Sequence, residues 1–318
     1  MKLDITNLSD YIVRFDEYLL DTERTRREIN IDNVCKYWIW ILDHFFWWIL
    51  PSELVVIWAD TGVWKSEMWY KIAVENAKRG KKVILFALEW DIQEMWLRYI
   101  QQEISRTRTI KSKDFRFNTV DIKEDTDKVL IPEDRFENLF IYKKKFIPNI
   151  EQLIELIDCA SEWYDMFIID HLNYIDFWDR ANEIESIWKV MRKLKVLTDN
   201  LKKPVVLMSH LRKRDKKEDP NEFDLYWSSN IAKEATTIIL LSKYDNMSNT
   251  KLVEYMFNRK DDDYKRYSST KLIAQKSRSW LPVKTTFSLV YDLHKKTYLD
   301  EFSDIIEAES QQKKDDRY

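Results

Sequence analysis

One stretch of the chain, residues 59–66, reads ADTGVWKS and has the lysine-serine order of a loop that binds phosphate groups. The apolar residues 54–57 precede it as a predicted strand. In such a loop, backbone N–H groups and the start of the next helix hold phosphate oxygens. Lys65 would neutralise the β and γ phosphates of a nucleotide, and the Ser66 hydroxyl would bind Mg²⁺. The candidate binding residues are Ala59, Asp60, Thr61, Gly62, Val63, Trp64, Lys65 and Ser66.

The residue before the lysine weakens this interpretation, because Trp64 stands where the pattern requires glycine. Glycine leaves no side chain between the backbone and the ligand, whereas an indole would fill the space that a phosphate needs. If Trp64 is native, the favoured alternative is a lysine that merely begins an amphipathic helix. The chain would then be a binding protein that takes no nucleotide.

Tryptophan stands in glycine positions throughout the chain. The sequence has 2 glycines and 14 tryptophans, whereas an average chain of this length holds roughly 22 glycines. The tryptophans interrupt polar loops where glycine is usual, as in residues 224–230 and 276–283. We therefore hypothesise that UGA codons, which some bacterial lineages read as glycine, were translated here as tryptophan. The alternative is a truly tryptophan-rich protein, suited to membrane-interface or carbohydrate contact.

Two acidic residues at the ends of predicted strands could serve the same site. Asp170 ends the apolar run of residues 166–169, where a carboxylate is placed to hold a magnesium shell. Glu89 follows residues 82–88, and there it could orient or deprotonate a water molecule near the γ-phosphate. A helix N-cap is an equally good interpretation of Glu89, because a helix is predicted from residue 91.

A histidine and a basic loop follow the predicted strand at residues 204–208. His210 lies where a group that senses the γ-phosphate would stand. The loop behind it carries five cations suited to the phosphates of a nucleic acid, although most basic loops are only solvated. These cations are Arg212, Lys213, Arg214, Lys216 and Lys217.

The elements that must position these residues alternate between strand and helix. This alternation predicts a parallel sheet with helices on both faces. After residue 236, strand-like runs follow one another without helices, which indicates edge strands added to the sheet. Strands are predicted at residues 54–57, 82–88, 138–141, 166–169 and 204–208, and helices from 65, from 91, over 149–162 and over 183–201.

Length and composition set the remaining bounds. A chain of 318 residues, 45% of them hydrophobic, can bury one large core with a small appendage. We expect a helical or linker segment over residues 1–36, the sheet domain over 37–300 and a charged, frayed tail over 301–318. The net charge of -3 gives no overall attraction to nucleic acid.

The cellular setting is predicted from cysteine usage and from the apolar runs. Cys35 and Cys159 lack the spacing of a metal or disulfide framework and indicate reduced thiols in a cytoplasmic protein. The N-terminus has no signal-peptide pattern, and the apolar run at residues 37–50 is too short and too charged to span a bilayer. We therefore expect no contact with a membrane.

Taken in order, these motifs resemble the hexameric RecA-like replicative helicases, the DnaB type with its phage and mitochondrial relatives. The resemblance implies a RecA-like P-loop NTPase fold, ATP and Mg²⁺ as cofactors, and a homo-hexamer that encloses single-stranded DNA. It covers about residues 37–300, and the matching pieces are ADTGVWKS, the strand-end LE, IIDHLNYI, VVLMSHLRK, DLYWSSNI and KSRSW.

The same resemblance assigns roles to single residues. Lys276 and Arg278 would reach the ATP of a neighbouring subunit, and the loops near 174–182 and 211–223 would face DNA. Bacterial members usually carry glutamine at the position of His210, so the chain is closer to the phage and mitochondrial branch. The other implied roles are nucleotide binding by Lys65 and Ser66, catalysis by Glu89, metal coordination by Asp170 and γ-phosphate sensing by His210.

A second class of protein shares most of these motifs. A RecA-like regulatory or recombination ATPase of the KaiC or RadA kind would bind partners or filaments and would not unwind DNA. Separation of a forked DNA substrate distinguishes this alternative from a helicase.

Overall fold

The computed structural model describes residues 34–60, 62–89, 92–104, 137–143, 148–175, 183–210, 233–243, 267–277, 285–293 and 297–305, with isolated positions before residue 30 and between residues 114 and 146. The chain divides into two compact units, residues 1–34 and residues 35–318. In the first unit, Arg27 pairs with Glu23 one helical turn away, with 2.9 Å between Nε and Oε1.

The second unit contains a sheet flanked by α-helices. Its described strands are β1 (Leu54–Ala59), β2 (Val83–Ala87), β3 (Leu139–Ile141), β4 (Met166–Asp170), β5 (Val205–His210), β6 (Thr237–Lys243), β7 (Tyr267–Lys276), β8 (Thr285–Asp292) and β9 (Thr297–Ile305). Its described helices are α1 (Trp40–Phe46), α2 (Lys65–Ala77), α3 (Ile92–Ile104), α4 (Ile150–Ala160) and α5 (Glu183–Leu201). None of the helices described here combines the length and apolar character that a membrane crossing requires.

The strand order places several functional candidates at one edge of the sheet. The order is β3-β2-β4-β5-β1-β6-β7-β8-β9. In this spatial order, the first six strands, β3 through β6, pair with their neighbours in parallel. The pairs β6–β7, β7–β8 and β8–β9 are antiparallel. Because parallel strands end at the same edge, Ala59, Ala87, Asp170 and His210 finish β1, β2, β4 and β5 close to one another.

The central strand β1 shows why the parallel strands are almost entirely apolar. All six of its residues are buried, because helices and loops cover both faces of the sheet. Val55 and Ile57 pack in the core on one face, while Val56 and Trp58 pack in the core on the other. The site at the end of β1 therefore stands on a strand that is fixed on both sides.

The predicted parallel sheet with helices and added edge strands is confirmed. The strand-like run at residues 251–257 lies outside the described residues. The sequence places a frayed tail after residue 300, whereas β9 continues across that point to Ile305. The polar sequence of β9 is compatible with a strand because it pairs with β8 through its backbone.

Candidate active site

The predicted phosphate loop joins the end of β1 to the start of α2. Asp60 donates its backbone N–H to the carbonyl of Leu241 on β6, 3.0 Å away. Gly62 has φ 76°, a left-handed conformation that glycine adopts without steric cost. At the other end, the Tyr298 hydroxyl donates a hydrogen bond of 3.2 Å to the carbonyl of Trp64. The loop is thus anchored at both ends by strands that follow it in sequence.

The remaining loop residues take different environments. Ala59 and Val63 are buried in the same apolar core. Ser66 is half-buried as the second residue of α2, and Thr61 lies outside the described residues. Phosphate binding by this set of residues stays a prediction.

Trp64 occupies the N-cap position of α2 with a left-handed backbone, φ 56° and ψ 28°. Its ring stacks on Tyr291 of β8, and the expectation that the indole fills the phosphate space stays a prediction. The ring centroids are 4.6 Å apart and the ring planes are inclined by 13°. A residue with a Cβ atom loses about 1–2 kcal/mol in this conformation. A glycine at position 64 would remove this backbone strain.

A buried ion pair joins α2 to the end of β4. Lys65 Nζ lies 3.1 Å from Asp170 Oδ1, and the two side chains are 5% and 0% exposed. Burial raises the pKa of the Asp170 carboxyl, and the positive charge of Lys65 acts in the opposite direction. Lys65 is predicted to bind the phosphates of a nucleotide and Asp170 to bind Mg²⁺. In this structure their opposite charges compensate each other.

The donor groups at this edge fit a magnesium ion. Mg²⁺ prefers oxygen ligands and is usually held by one or two protein groups together with phosphate oxygens. Apart from Lys65, no described residue donates a hydrogen bond to the Asp170 carboxylate, although this side chain is completely buried. Buried oxygens with so few partners are suited to a cation. Ser66 and Asp170 are the residues that would hold it.

Glu89, His171 and His210 form a second cluster near the ends of β2, β4 and β5. The backbone N–H groups of Leu88 and Glu89 donate to the carbonyl of Asp170, at 2.6 and 3.3 Å. His171 Nε2 lies 3.3 Å from Glu89 Oε2, and His210 Nε2 lies 4.0 Å from the same oxygen. The two imidazole rings meet edge to face, with centroids 4.6 Å apart.

The surroundings of this cluster set its charges. A hydrogen bond from His171 is the main cause that lowers the pKa of Glu89, so this carboxyl is ionised at neutral pH. Burial, assisted by the charge of Lys65, lowers the pKa of His210 to about 4, so its imidazole is neutral. The side chains of His210 and Glu89 are 30% and 33% exposed. An ionised carboxylate beside a neutral imidazole can therefore meet a water molecule, orient it and accept its proton.

The sequence does not single out His171, which directly follows Asp170. Its side chain is 4% exposed, and its ring meets Tyr174 edge to face at 4.9 Å. The sequence does contain one indication of its location. A residue directly after one parallel strand lies beside the ends of the neighbouring strands. The helix-cap interpretation of Glu89 stays open, since residues 90–91 lie outside the described part of the chain.

The residues predicted to act between subunits or on DNA are only partly described. Lys276 ends β7, and its Nζ donates a hydrogen bond of 3.2 Å to the carbonyl of Lys233. Its predicted role at the ATP of a neighbouring subunit stays a prediction. The positions outside the described residues are Arg212, Lys213, Arg214, Lys216, Lys217 and Arg278.

A protein family and two solved structures resemble this chain. The family model of the DnaB-like helicase C-terminal domain matches residues 39–298. A solved ATPase domain is 19% identical to this chain, with a TM-score of 0.71 over 91% of this chain and 99% of that one. A DnaB-like replicative helicase, solved to show its interactions with primase, is 19% identical, with a TM-score of 0.70 over 90% of this chain and 68% of that one. No protein of curated function matches the chain.

The two solved structures establish the fold and confirm the predicted RecA-like α/β architecture. The family match shows the family as well as the fold, because it spans nearly the whole sheet. The matched residues include the phosphate loop, Glu89, Asp170 and His210. The chain therefore belongs to the DnaB-like helicases, in the C-terminal domain family of these nucleotide-dependent enzymes.

Proposed function

We propose that this protein is an ATP-dependent DNA helicase that works as a ring oligomer and moves along single-stranded DNA. One observation carries the proposal: Lys65, Asp170 and Glu89 meet at one edge of the sheet, with His210 beside them. A loop lysine, a metal-binding carboxylate and a water-orienting carboxylate are the groups that ATP hydrolysis requires. Membership of a helicase family supports the coupling of this hydrolysis to movement on DNA.

The cofactors of the proposed reaction are ATP and Mg²⁺. Lys65 would exchange Asp170 for the β and γ phosphate oxygens, and Asp170 and Ser66 would hold the metal ion. Bound Mg²⁺ supplies positive charge next to the phosphates. Glu89 orients the water that attacks the γ-phosphorus and accepts its proton, while the bond from the γ-phosphorus to the bridging oxygen breaks and ADP leaves. The neutral imidazole of His210 senses whether the γ-phosphate is present.

The ring is the second part of the proposal. In a cytoplasmic homo-hexamer, Arg278 and Lys276 act on the ATP of the neighbouring subunit, and the basic residues 212–217 contact DNA in the central channel. An arginine supplied by a neighbouring subunit accelerates phosphoryl transfer by about 10³ to 10⁵. Mixing Arg278→Ala subunits with Glu89→Gln subunits should restore some turnover, because some interfaces then combine both intact groups. Mixed assembly without any recovery would contradict the role of Arg278 between subunits.

We also propose that the tryptophan positions are glycine positions in the active protein. Among the residues that the structure describes, six non-glycine residues have positive φ, and four of them are tryptophans, namely Trp38, Trp47, Trp48 and Trp64. Trp47 closes α1 in the left-handed conformation, where helices most often place glycine. With 14 tryptophans among 318 residues, random placement would rarely put four at such positions.

Buried indoles give independent support to the glycine proposal. The indole N–H groups of Trp38, Trp58 and Trp69 are buried and have no hydrogen-bond partner among the described residues. A buried tryptophan usually finds an acceptor for this group. Each of these indole N–H groups is thus buried without an acceptor among the described residues, as expected if UGA codons specify glycine at these positions.

The nucleotide sequence tests the glycine proposal directly. The codons for Trp38, Trp47, Trp48 and Trp64 are expected to be TGA, and a TGG codon at position 64 would contradict the proposal. Expression gives a second test, in which the glycine-restored chain carries glycine at all 14 tryptophan positions. This chain should bind ATP with Mg²⁺, and the chain as written should not. Equal binding by the two chains would refute the argument.

An unwinding assay tests the helicase proposal. The glycine-restored chain is incubated with ATP, Mg²⁺ and a forked DNA duplex that carries single-stranded tails. We expect strand separation that depends on ATP and disappears in the Glu89→Gln variant. ATP hydrolysis without strand separation would instead favour a regulatory or recombination ATPase.

A further inference from the structure

The cluster of Glu89, His171 and His210 has the composition of a transition-metal site. We propose that these three residues bind a divalent ion of the zinc class, at a site separate from the Ser66 and Asp170 site for Mg²⁺. The ligand atoms of the three side chains all lie within 4.8 Å of one another. Two imidazoles and one carboxylate also form the ligand set of several catalytic zinc sites.

The distances within the cluster approach those that a metal ion imposes. Zinc bonds to imidazole nitrogen and carboxylate oxygen are about 2.0–2.2 Å, so neighbouring ligands of a tetrahedral ion stand roughly 3.3 Å apart. His171 Nε2 already lies 3.3 Å from Glu89 Oε2. His210 Nε2, at 4.0 Å from that oxygen, has to move only slightly closer. The partial exposure of Glu89 and His210 gives both side chains room for this adjustment.

The donor atoms select the class of ion. Imidazole nitrogen suits zinc, cobalt and nickel ions. Mg²⁺ prefers a shell made of oxygen ligands and dehydrates reluctantly. Ser66 and Asp170 offer only oxygen, whereas the Glu89 cluster offers two nitrogens. The two sites should therefore hold different ions at the same time.

Occupation of the zinc-class site would arrest ATP hydrolysis, and this consequence rests on the proposed function. With a metal ion bound, Glu89 and His210 act as ligands and no longer orient water or sense the γ-phosphate. Lys65 and Ser66 do not belong to the metal site, so nucleotide binding should persist. The cluster would thus make turnover sensitive to transition-metal ions.

Cobalt(II) tests the site directly, because its visible absorption reports coordination by protein ligands. The full chain, freed of metal and nucleotide, is titrated with Co²⁺ in the presence of excess Mg²⁺. We expect a saturable absorption band at one ion per chain, which Zn²⁺ removes and further Mg²⁺ does not. The absence of a saturable band, or its loss on addition of Mg²⁺, would overturn the proposal.

Histidine variants assign the site to these residues. His171→Asn and His210→Asn should each weaken Co²⁺ binding by at least about tenfold. The matched control is His44→Asn, because His44 is exposed on α1, stacks on Trp40 and is not one of the three proposed ligands. The control should bind Co²⁺ like the parent chain, and circular dichroism shows whether each variant is folded. Unchanged affinity in both folded cluster variants would place the metal elsewhere and overturn the proposal.

Zinc inhibition separates the metal site from the proposed function. In the glycine-restored chain, Zn²⁺ should reduce ATP turnover without reducing ATP binding, and a zinc-selective chelator should restore it. Residual turnover of His171→Asn should be less sensitive to Zn²⁺. Full turnover with the metal bound would overturn the arrest. A lack of turnover without zinc would instead contradict the proposed ATPase, because the cobalt titration needs no nucleotide.

Discussion

The Lys65–Asp170 pair and the Glu89–His171–His210 cluster lie at neighbouring strand ends but differ in their access to solvent. The pair is almost completely buried, whereas Glu89 and His210 are about one-third exposed. A buried charge requires a partner, because an unpaired one loses its hydration without compensation. An exposed carboxylate keeps its charge through water.

The difference in burial predicts that substitutions in the two regions have different effects. The buried pair contributes to the folded state as well as to ligand binding, since each charge compensates the other. The open cluster contributes to chemistry, since its groups must meet a water molecule. Substitutions in the pair should therefore change stability, and substitutions in the cluster should change turnover.

Removal of Lys65 should have the largest effect on folding. Lys65→Met leaves Asp170 as an uncompensated buried charge, which should lower the free energy of unfolding by about 3–5 kcal/mol. Urea denaturation measures this change. In the glycine-restored chain, the double variant Lys65→Met with Asp170→Asn should recover most of the loss without recovering nucleotide binding. If the single variant is as stable as the parent, the pair does not support the fold.

Glu89→Gln should show the opposite behaviour. Turnover of ATP in the glycine-restored chain should fall by about 10²–10⁴, because the amide cannot accept a proton from water. The free energy of unfolding should change by less than about 1 kcal/mol, since this side chain is partly exposed. Steady-state kinetics and urea denaturation of one preparation measure both values. Normal turnover would favour the helix-cap interpretation of Glu89.

His171→Asn should change the pH dependence of ATP turnover in the glycine-restored chain. The hydrogen bond from His171 is the main cause of the lowered pKa of Glu89, so its loss should raise that pKa. Glu89 then becomes protonated sooner as the pH falls, and the acid limb of the turnover profile should move to higher pH. The control His44→Asn should keep the parent profile. An unmoved acid limb in His171→Asn would show that this bond does not set the charge of Glu89.

Removal of an exposed ion pair should have the smallest effect on the free energy of unfolding. It serves as the reference for the buried pair. Lys189 Nζ lies 2.8 Å from Glu185 Oε1 on α5, with side chains 58% and 49% exposed. Lys189→Ala should lower the free energy of unfolding by only about 0.3–0.5 kcal/mol, because solvent screens such pairs. Urea denaturation beside Lys65→Met gives the contrast. Similar losses in the two variants would contradict the distinction between buried and exposed charges.

Strand-end residues were the most predictable part of the site. Glu89, Asp170 and His210 each follow an apolar run, and parallel strands bring such ends together at one edge. The direct contact between Lys65 and Asp170 was not predictable, because it depends on how α2 packs beside β4. The contact of His171 with Glu89 was missed because it depends on the pairing of β2 with β4, which the place of His171 after β4 does not reveal by itself.

The far end of the sheet was less predictable, for a different physical reason. Strand β9 contains Asp300, Glu301 and Asp304 among its nine residues, so its composition indicates a tail. Its pairing with β8 depends on backbone hydrogen bonds, which the identity of a side chain does not reveal. The stacking of Trp64 on Tyr291 likewise joins distant parts of the chain that local patterns cannot relate.

The hydrogen bond from Tyr298 to the carbonyl of Trp64 spans 234 positions of the sequence. A ribosome that adds about 5–20 residues per second synthesises Tyr298 roughly 10 to 50 seconds after Trp64. During this interval the nascent chain can pair β1 with β5 and β6, but its phosphate loop still lacks the contact with β9. Nucleotide binding should therefore mature last during synthesis, and a message cut short before codon 298 should yield a chain with a sheet and an unfinished loop.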